Sequence, residues 1–229
     1  MALDSEVMTL ADIAQYLQLA EKTVLRMAQR GEIPAAKVAS QWRFLKPVVK
    51  DWLATQMVSM PRVAAAPTIQ ETGPSLCQVM HPDLMSLNMT PGSKEKILRQ
   101  LIAPLQKTGF LSSPDALLQS LIERENLMST GVGHGIAIPH PRKPLKNLFS
   151  EPAIALGICP EGTPFGAIDD QPVHLFFLIC APSDGIHLEL MAKIAWLGRQ
   201  QQAINNLIQC RSQAEVIARL TEAMNLLES

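Results

Sequence analysis

The sequence predicts an α/β (α+β) protein in which a layered domain, with helices flanking one sheet, is preceded by a small winged helix-turn-helix domain. Two observations support this division. After about residue 84, amphipathic helical segments alternate with short apolar runs that are typical of buried strands. Before about residue 58, two short helical segments are followed by two extended pieces and a third helix. The chain has 229 residues, 47% of them hydrophobic, so it can fill one medium and one small core.

The first helix has a start signal in the sequence. Thr9 is an N-cap residue and Asp12 follows three residues later, close to a capping box. A turn at Gln18–Ala20 leads to a second helix from Glu21 to Arg30, which Gly31 ends as a C-cap residue. The remaining elements are a hairpin of Ala36–Val38 and Trp42–Phe44 with a turn at Ser40-Gln41, and a helix that begins near Pro47.

Helix, tight turn, helix, hairpin and helix together form the plan of a winged helix-turn-helix. The run TLADIAQYLQLAEKTVLRMAQRGEIPAAKVASQWRFLKPVVKDWL resembles the excisionase/MerR-type DNA-binding family over nearly all of the first 57 residues. The resemblance implies that the second helix is the recognition helix and that the stretch around Trp42 is the wing. The residues expected to contact DNA are Lys22, Arg26, Arg30 and Arg43.

The charge of this first domain limits how strongly one copy can bind DNA. Seven basic side chains stand against six acidic ones, and the whole chain has a formal net charge of −1. Because affinity for the DNA backbone grows with the number of phosphates neutralised, a single copy is expected to bind weakly and a homodimer would be needed. The alternative is a protein-docking module whose basic residues form an ordinary solvated face.

Residues 58–83 are predicted to be a linker. They are rich in Pro, Ala, Ser and Thr and show no stable apolar period. The predicted domains are therefore residues 1–57 and 84–229, with this segment between them.

The larger domain begins with two amphipathic helices, Ser93–Gln106 and one capped by Ser113. Three apolar runs then indicate buried strands, and three further helical segments follow. The runs are Ile136–Ile138, Ile154–Ile158 and Val173–Ile179, and the helices are Leu188–Arg199, Ala203–Cys210 and Gln213–Leu227.

A glycine-rich loop, Gly131–Gly135, feeds the first of these strands, which delivers His140 at its end. The ends of strands are where open α/β sheets place ligand sites. The string ERE-x(3)-STG-x-G-x-GIAIPH, with FGAIDDQPVHLFFLICAPSDGIHLELMAKIAWL after it, resembles enzyme IIA of the phosphotransferase system, of the mannitol/fructose and nitrogen-regulatory class. The resemblance covers essentially everything from Leu84 onward and implies the layered sheet of that family.

The resemblance implies that His140 accepts a phosphoryl group from an HPr-like phosphocarrier. His187 would donate a hydrogen bond to the phosphoryl oxygens, and Arg124 would contact them with its guanidinium. Ser129 and Thr130 are expected to hold the loop, and Arg142 to contact the phosphoryl group or a partner. Residue chemistry alone leaves simpler readings open: a structural histidine, a solvent-exposed His187, and surface pairing of Arg124 with a neighbouring glutamate.

Two further histidines, His134 and His174, are interpreted as structural. The family usually has Gly-Lys after the active histidine, whereas Pro141-Arg142-Lys143-Pro144 follows here. Proline removes a backbone donor and stiffens this loop, which is expected to alter recognition of the phosphoryl donor.

Several classes of protein are not expected. The N-terminal residues lack a secretory pattern, no apolar run is long enough to span a membrane, and four separated cysteines indicate a reducing, cytoplasmic setting. No cluster of histidines and cysteines suggests a metal, no cofactor is expected, and no sugar-transporting IIB or IIC segment is present.

The sequence thus favours a nitrogen-regulatory-type phosphohistidine carrier, rather than a turnover enzyme, coupled to DNA and to regulatory target proteins. Two alternatives remain: a transcription regulator with a non-phosphorylated scaffold, and a sugar-system IIA component that passes phosphate to a separate IIB protein.

Overall fold

The computed structural model describes residues 6–59, 74–142, 148–149 and 151–228, with the backbone alone for residues 54–59 and 226–228. The chain divides into two compact units, Met1–Met60 and Pro61–Ser229. No helix of the described part is long and apolar enough to cross a membrane.

The first unit is a helix-turn-helix with a small antiparallel sheet of order β1-β3-β2. Its apolar core includes Ile13, Val24, Phe44 and Val49, all of them buried. The elements are β1 (Val7–Met8), α1 (Leu10–Leu17), α2 (Glu21–Gln29), β2 (Ala36–Val38), β3 (Gln41–Leu45) and α3 (Lys46–Ser59).

The predicted start of α1 is confirmed, and α2 ends one residue earlier than predicted, at Gln29, with Arg30 as its C-cap residue. Asp12 accepts a hydrogen bond from the backbone N–H of Thr9 at 2.8 Å, and the Thr9 hydroxyl accepts one from the N–H of Asp12 at 3.3 Å. Gly31 follows α2 with φ of +69°, the left-handed conformation that glycine adopts without steric cost.

The hairpin turn was predicted one residue too late. Val38 pairs with Gln41, so Gln41 belongs to β3 and the turn residues are Ala39 and Ser40. Both have positive φ, 45° and 65°, as a two-residue hairpin turn requires. Strand β1 was not predicted, because two residues are too few to show a period.

The second unit confirms the predicted α/β architecture. Its sheet has the order β4-β7-β8-β6-β5; β4 is parallel to β7 and β6 is parallel to β8, while the other pairs are antiparallel. The strands are β4 (Met85–Ser86), β5 (Gly131–Gly133), β6 (Ile136–Ala137), β7 (Ala153–Thr163) and β8 (Val173–Cys180). The helices are α4 (Leu76–Val79), α5 (Lys94–Lys107), α6 (Pro114–Leu127), α7 (Asp184–Gly198), α8 (Gln201–Ile208) and α9 (Gln213–Glu228), with a short 3-10 turn at Pro82–Leu84.

Helices cover both faces of this sheet. One apolar cluster joins α5 and α6 to the sheet face that carries Ala137, Phe176 and Leu178. On the opposite face α7 packs so closely that a Cβ added at Gly198 would lie 2.9 Å from Ile136. The site described below therefore stands on a sheet that is covered by helices on both faces.

Several predictions of extent were wrong in the second unit, and α8, for example, spans Gln201–Ile208 and not Ala203–Cys210. Gly131–Gly133 is strand β5 with a register shift rather than a loop. Strand β7 runs to Thr163, five residues beyond the predicted end at Ile158. Helix α7 begins at Asp184 instead of about Leu188, and the Ser183 hydroxyl caps it by accepting from the Ile186 N–H at 3.5 Å. The earlier start was missed because Ser-Asp-Gly is equally typical of a turn.

The predicted linker lies partly outside the described residues, namely at 60–73. Its last ten residues belong to the second unit, where α4 buries Leu76 and Val79. The Lys193 ammonium in α7 donates to the Pro74 carbonyl at 2.9 Å and pairs with Glu189 at 2.6 Å. The exact domain boundaries stay a prediction.

The four cysteines are free thiols. Burial raises the pKa of the Cys159, Cys180 and Cys210 thiols, which keeps these groups protonated and unreactive near neutral pH.

Candidate active site

His140 follows β6 and is 3% exposed. Beyond Ala137, the last residue of β6, the backbone remains hydrogen-bonded to β8, since the Ile179 N–H donates to the Pro139 carbonyl at 3.0 Å. Prolines on both sides of His140 restrict the backbone that carries the ring. The histidine is therefore presented from a rigid strand end in the interior of the sheet.

Both ring nitrogens of His140 have a defined partner. Nδ1 lies 2.7 Å from the carbonyl oxygen of Ile138, which can only accept a hydrogen bond, so Nδ1 carries the proton. Nε2 lies 3.1 Å from the Nε of Arg124, which can only donate, so Nε2 presents its lone pair. The two bonds select one neutral tautomer, with Nε2 as the nucleophilic nitrogen.

Arg124 lies in the last turn of α6 and is 4% exposed. Its Nη1 donates to the carbonyl of Met128 at 2.9 Å, while its Nε donates to the His140 ring. Arg124 is therefore a buried residue beside the His140 ring, and not the surface residue that the simpler interpretation required. The guanidinium is held beside the nucleophilic nitrogen, where it can also contact an incoming anion.

His187 reaches the His140 ring from the first turn of α7. Its ring centroid lies 4.9 Å from that of His140, with 52° between the ring planes. The free N–H groups at a helix N-terminus favour negative charge. The three residues that the sequence predicted at the centre of the site thus come together from the ends of β6, α6 and α7.

Ser129 and Thr130 hold the loop that precedes β5, and their side chains bond away from the ring. The Ser129 hydroxyl donates to the Phe165 carbonyl at 2.8 Å, and the Thr130 hydroxyl donates to the Glu125 carboxylate at 2.7 Å. Arg142 is half-buried at a bend two residues after His140, and Lys143 lies outside the described residues.

Glu125 and Lys94 were not predicted as site residues. The Glu125 side chain is 3% exposed and accepts from the Lys94 ammonium at 2.8 Å. A signal for Glu125 was present, because it lies four residues after the buried Leu121 and so places a carboxylate on the apolar face of α6. Lys94 is 31 residues away in α5 and gave no local signal.

His134, which was interpreted as structural, lies in the turn between β5 and β6. Its φ is +55°, between Gly133 and Gly135 at +88° and +77°. The His134 N–H donates to the Asp169 carboxylate at 2.8 Å. His174 also bonds this turn, through its backbone N–H to the Gly135 carbonyl at 2.8 Å.

In the first unit, two of the predicted DNA-contacting residues, Lys22 and Arg26, share one face of α2, and a third, Arg30, is its C-cap residue. Lys22, Arg26 and Arg30 are exposed and spaced four residues apart. Arg30 also pairs with Glu32 at 3.6 Å. The fourth, Arg43, is half-buried and folds back on its own strand, where its Nη2 donates to the Gln41 side chain at 2.6 Å.

Two families match separate parts of the chain. Residues 78–223 match the model described as "Phosphoenolpyruvate-dependent sugar phosphotransferase system, EIIA 2". Residues 7–57 match a helix-turn-helix domain model.

Similar proteins include both sugar-specific and nitrogen-regulatory ones. The fructose-specific EIIABC component of Bacillus subtilis is 29% identical over 62% of this chain, but the match covers only 22% of that longer protein. The fructose-specific EIIA component of Haloferax volcanii is 32% identical over 62% of this chain and 92% of its own length. The nitrogen regulatory protein of Pseudomonas aeruginosa is 34% identical over 52% and 76% of the two chains.

A solved structure is also similar to the second unit. The crystal structure of the nitrogen regulatory protein IIA-Ntr from Neisseria meningitidis superposes with a TM-score of 0.56 and is 31% identical. The match covers 63% of this chain and 97% of that one.

Proposed function

The chain belongs to the EIIA 2 family of the phosphoenolpyruvate-dependent sugar phosphotransferase system, and we propose that His140 takes up a phosphoryl group on Nε2 from an HPr-like phosphocarrier. The observation that carries this proposal is the pair of hydrogen bonds on the His140 ring. Nδ1 is bound to the Ile138 carbonyl, and the lone pair of Nε2 faces Arg124. This is the tautomer that can attack phosphorus without first losing a proton.

The transfer exchanges one nitrogen–phosphorus bond for another. The Nε2 lone pair attacks the phosphorus while the bond to the donor's imidazole breaks and its electron pair returns to the donor nitrogen. The Arg124 Nε–H has to turn from Nε2 towards the phosphoryl oxygens, and its Nη1 anchor on Met128 keeps the guanidinium within reach. His187, whose ring lies beside that of His140, and the N-terminus of α7 stabilise the added negative charge.

The helix-turn-helix domain supports a regulatory role. Lys22 and Arg26 on α2, with Arg30 at its C-cap, form an exposed basic face at the position of a recognition helix. Phosphorylation adds roughly −1.5 to −2 charges in the case of a phosphoester, and we infer a comparable change at His140. We therefore propose a cytoplasmic, nitrogen-regulatory-type protein in which this change alters binding to DNA or to regulatory target proteins. The free cysteines support a reducing compartment.

A second candidate function is favoured by the sugar-specific relatives. The Haloferax volcanii relative, a fructose-specific EIIA component, matches over 92% of its length. By analogy, this chain would pass its phosphoryl group to a separate sugar-specific IIB protein.

The proposal is tested with labelled phosphoenolpyruvate, enzyme I and an HPr-like carrier. We expect acid-labile, alkali-stable label on the wild type and none on His140→Ala. The Arg124→Lys variant should take up label about a hundredfold more slowly, because an ammonium cannot replace the forked guanidinium. Arg99→Lys, which changes an exposed residue paired with Glu95, is the matched control.

Two additions to this assay separate the candidate functions. Transfer of the label from this protein to a IIB protein favours the sugar-specific role. DNA binding that differs between the phosphorylated and the unphosphorylated protein favours the regulatory role. Absence of label with several cognate carriers would leave a DNA-binding protein with a non-phosphorylated scaffold.

A further inference from the structure

Glu125 is a buried carboxylate that the phosphoryl transfer does not use directly. It accepts from the Lys94 ammonium at 2.8 Å, from the Thr130 hydroxyl at 2.7 Å and from the Thr130 backbone N–H at 3.0 Å. Lys94 and Thr130 thus supply three donors to one carboxylate. A buried charge persists only when such partners compensate for its lost hydration.

The carboxylate is connected to the His140 ring through two backbone segments. Thr130, held by Glu125, offers its carbonyl to the Ile138 N–H at 3.0 Å. Ile138 in turn offers its carbonyl to Nδ1 of His140 at 2.7 Å. The position of the Thr130 loop therefore determines where the tautomer-selecting carbonyl lies.

The same loop also affects the hydrogen bond at Nε2, the second ring nitrogen of His140. Met128, two residues before Thr130, accepts from Nη1 of Arg124, whose Nε binds Nε2 of His140. A shift of this loop would disturb the hydrogen bonds at both ring nitrogens together.

We propose that Glu125 is a positioning residue for His140, which keeps the proton on Nδ1 and the lone pair on Nε2 by fixing Thr130. This inference rests on the proposed function of His140 as the phosphoryl acceptor. Glutamine is a weaker partner than Glu125, because its neutral amide loses the ion pair with Lys94, and its NH₂ group would face either the Lys94 ammonium or the Thr130 backbone N–H, both of which can only donate. Loss of the carboxylate releases the loop and populates the tautomer with the proton on Nε2, which has no lone pair for attack.

The test measures the His140 tautomer directly, in the full-length protein. Imidazole ¹⁵N NMR distinguishes a protonated from an unprotonated Nε2 and needs no phosphoryl donor. We expect one tautomer in the wild type and a mixture in Glu125→Gln, with phosphoryl uptake about tenfold slower. Glu123→Gln is the matched control, since that exposed carboxylate two residues earlier accepts only an exposed bond from Gln119 within the described contacts.

A second pair of variants covers the case in which Glu125→Gln does not fold. Thr130→Val removes the hydroxyl bond to Glu125 and should also give mixed tautomers, whereas Thr130→Ser retains the hydroxyl and should restore the wild-type spectrum. A folded Glu125→Gln or Thr130→Val protein with the wild-type tautomer and uptake rate would overturn the proposal. If the wild type takes up no label, the proposed function fails, while the ¹⁵N spectra still report whether Glu125 sets the ring.

Discussion

Gly131 lies where β5 comes closest to the loop after Phe165. A Cβ at this position would lie 2.7 Å from the Cα of Ala167 and 3.1 Å from its nitrogen. The close approach allows the Gly131 carbonyl to accept from the Ile168 N–H at 3.2 Å. This glycine therefore allows two backbone segments to pack closely beside the active-site loop.

We expect Gly131→Ala to lower the free energy of unfolding by about 1–3 kcal/mol, because backbone atoms that cannot rotate away must move. Urea unfolding measures the change. Gly185→Ala is the control: it lies in the first turn of α7 with nothing within 4 Å of an added Cβ, so it should be neutral or stabilising by up to about 1 kcal/mol. Equal stability of the two variants would contradict this account of Gly131.

The β5–β6 hairpin depends on a turn of three successive left-handed residues, Gly133 to Gly135. Asp169 stabilises this turn by accepting from the His134 N–H at 2.8 Å. Burial raises the pKa of the Asp169 carboxyl, but hydrogen bonds from the backbone N–H groups of His134, Gln171 and Asp169 lower it by more, so the pKa lies below its ordinary value. The carboxylate form is thus favoured by the folded hairpin.

A lowered pKa in the folded state means that the stabilisation is complete above the unfolded pKa of about 3.9 and is lost as the pH falls through the folded pKa. Asp169→Asn should therefore be less stable than the wild type at neutral pH, and the difference should disappear in acid. The effect should be small, because Asp169 is exposed.

Urea titrations across this pH range measure the effect. Asp170→Asn, which removes a neighbouring charge but keeps the bond to His134, is the control. The same pH dependence in both variants would argue against a specific role for Asp169.

The whole chain combines an exposed basic face in a helix-turn-helix unit with the fold of a phosphoryl-accepting family in the other unit. DNA binding by the first unit can be measured in the intact protein, because the salt dependence of the affinity reports phosphate contacts. Each phosphate neutralised by a basic side chain contributes about 0.9 to the slope of log affinity against log salt.

Arg26→Ala should weaken binding to a DNA duplex and reduce the magnitude of that slope by about 0.9, if this exposed side chain contacts a phosphate. Fluorescence anisotropy at several salt concentrations measures the slope. Arg219→Ala changes an exposed arginine of α9 in the other unit and should leave the slope unchanged. An unchanged slope in Arg26→Ala would favour the alternative that the first unit docks proteins.

Elements set by neighbouring residues could be predicted from the amino-acid sequence. The Thr9–Asp12 capping box, Gly31 after α2 and the amphipathic α5 are of this kind, because caps and helical periodicity act over only a few residues. The family signature also named His140, Arg124 and His187, but it did so by resemblance and gave no contacts.

Contacts between distant segments could not be predicted in this way. Lys94 and Glu125 are 31 residues apart, and β5 gains its partner only when β6 folds back on it. The tautomer of His140 depends on the Ile138 carbonyl and on the Arg124 guanidinium, which α6 delivers from 16 residues earlier. A buried charge and a selected tautomer are stable only among groups that the folded chain has brought together and dehydrated. They therefore depend on the packed structure, and no periodic pattern in the sequence indicates them.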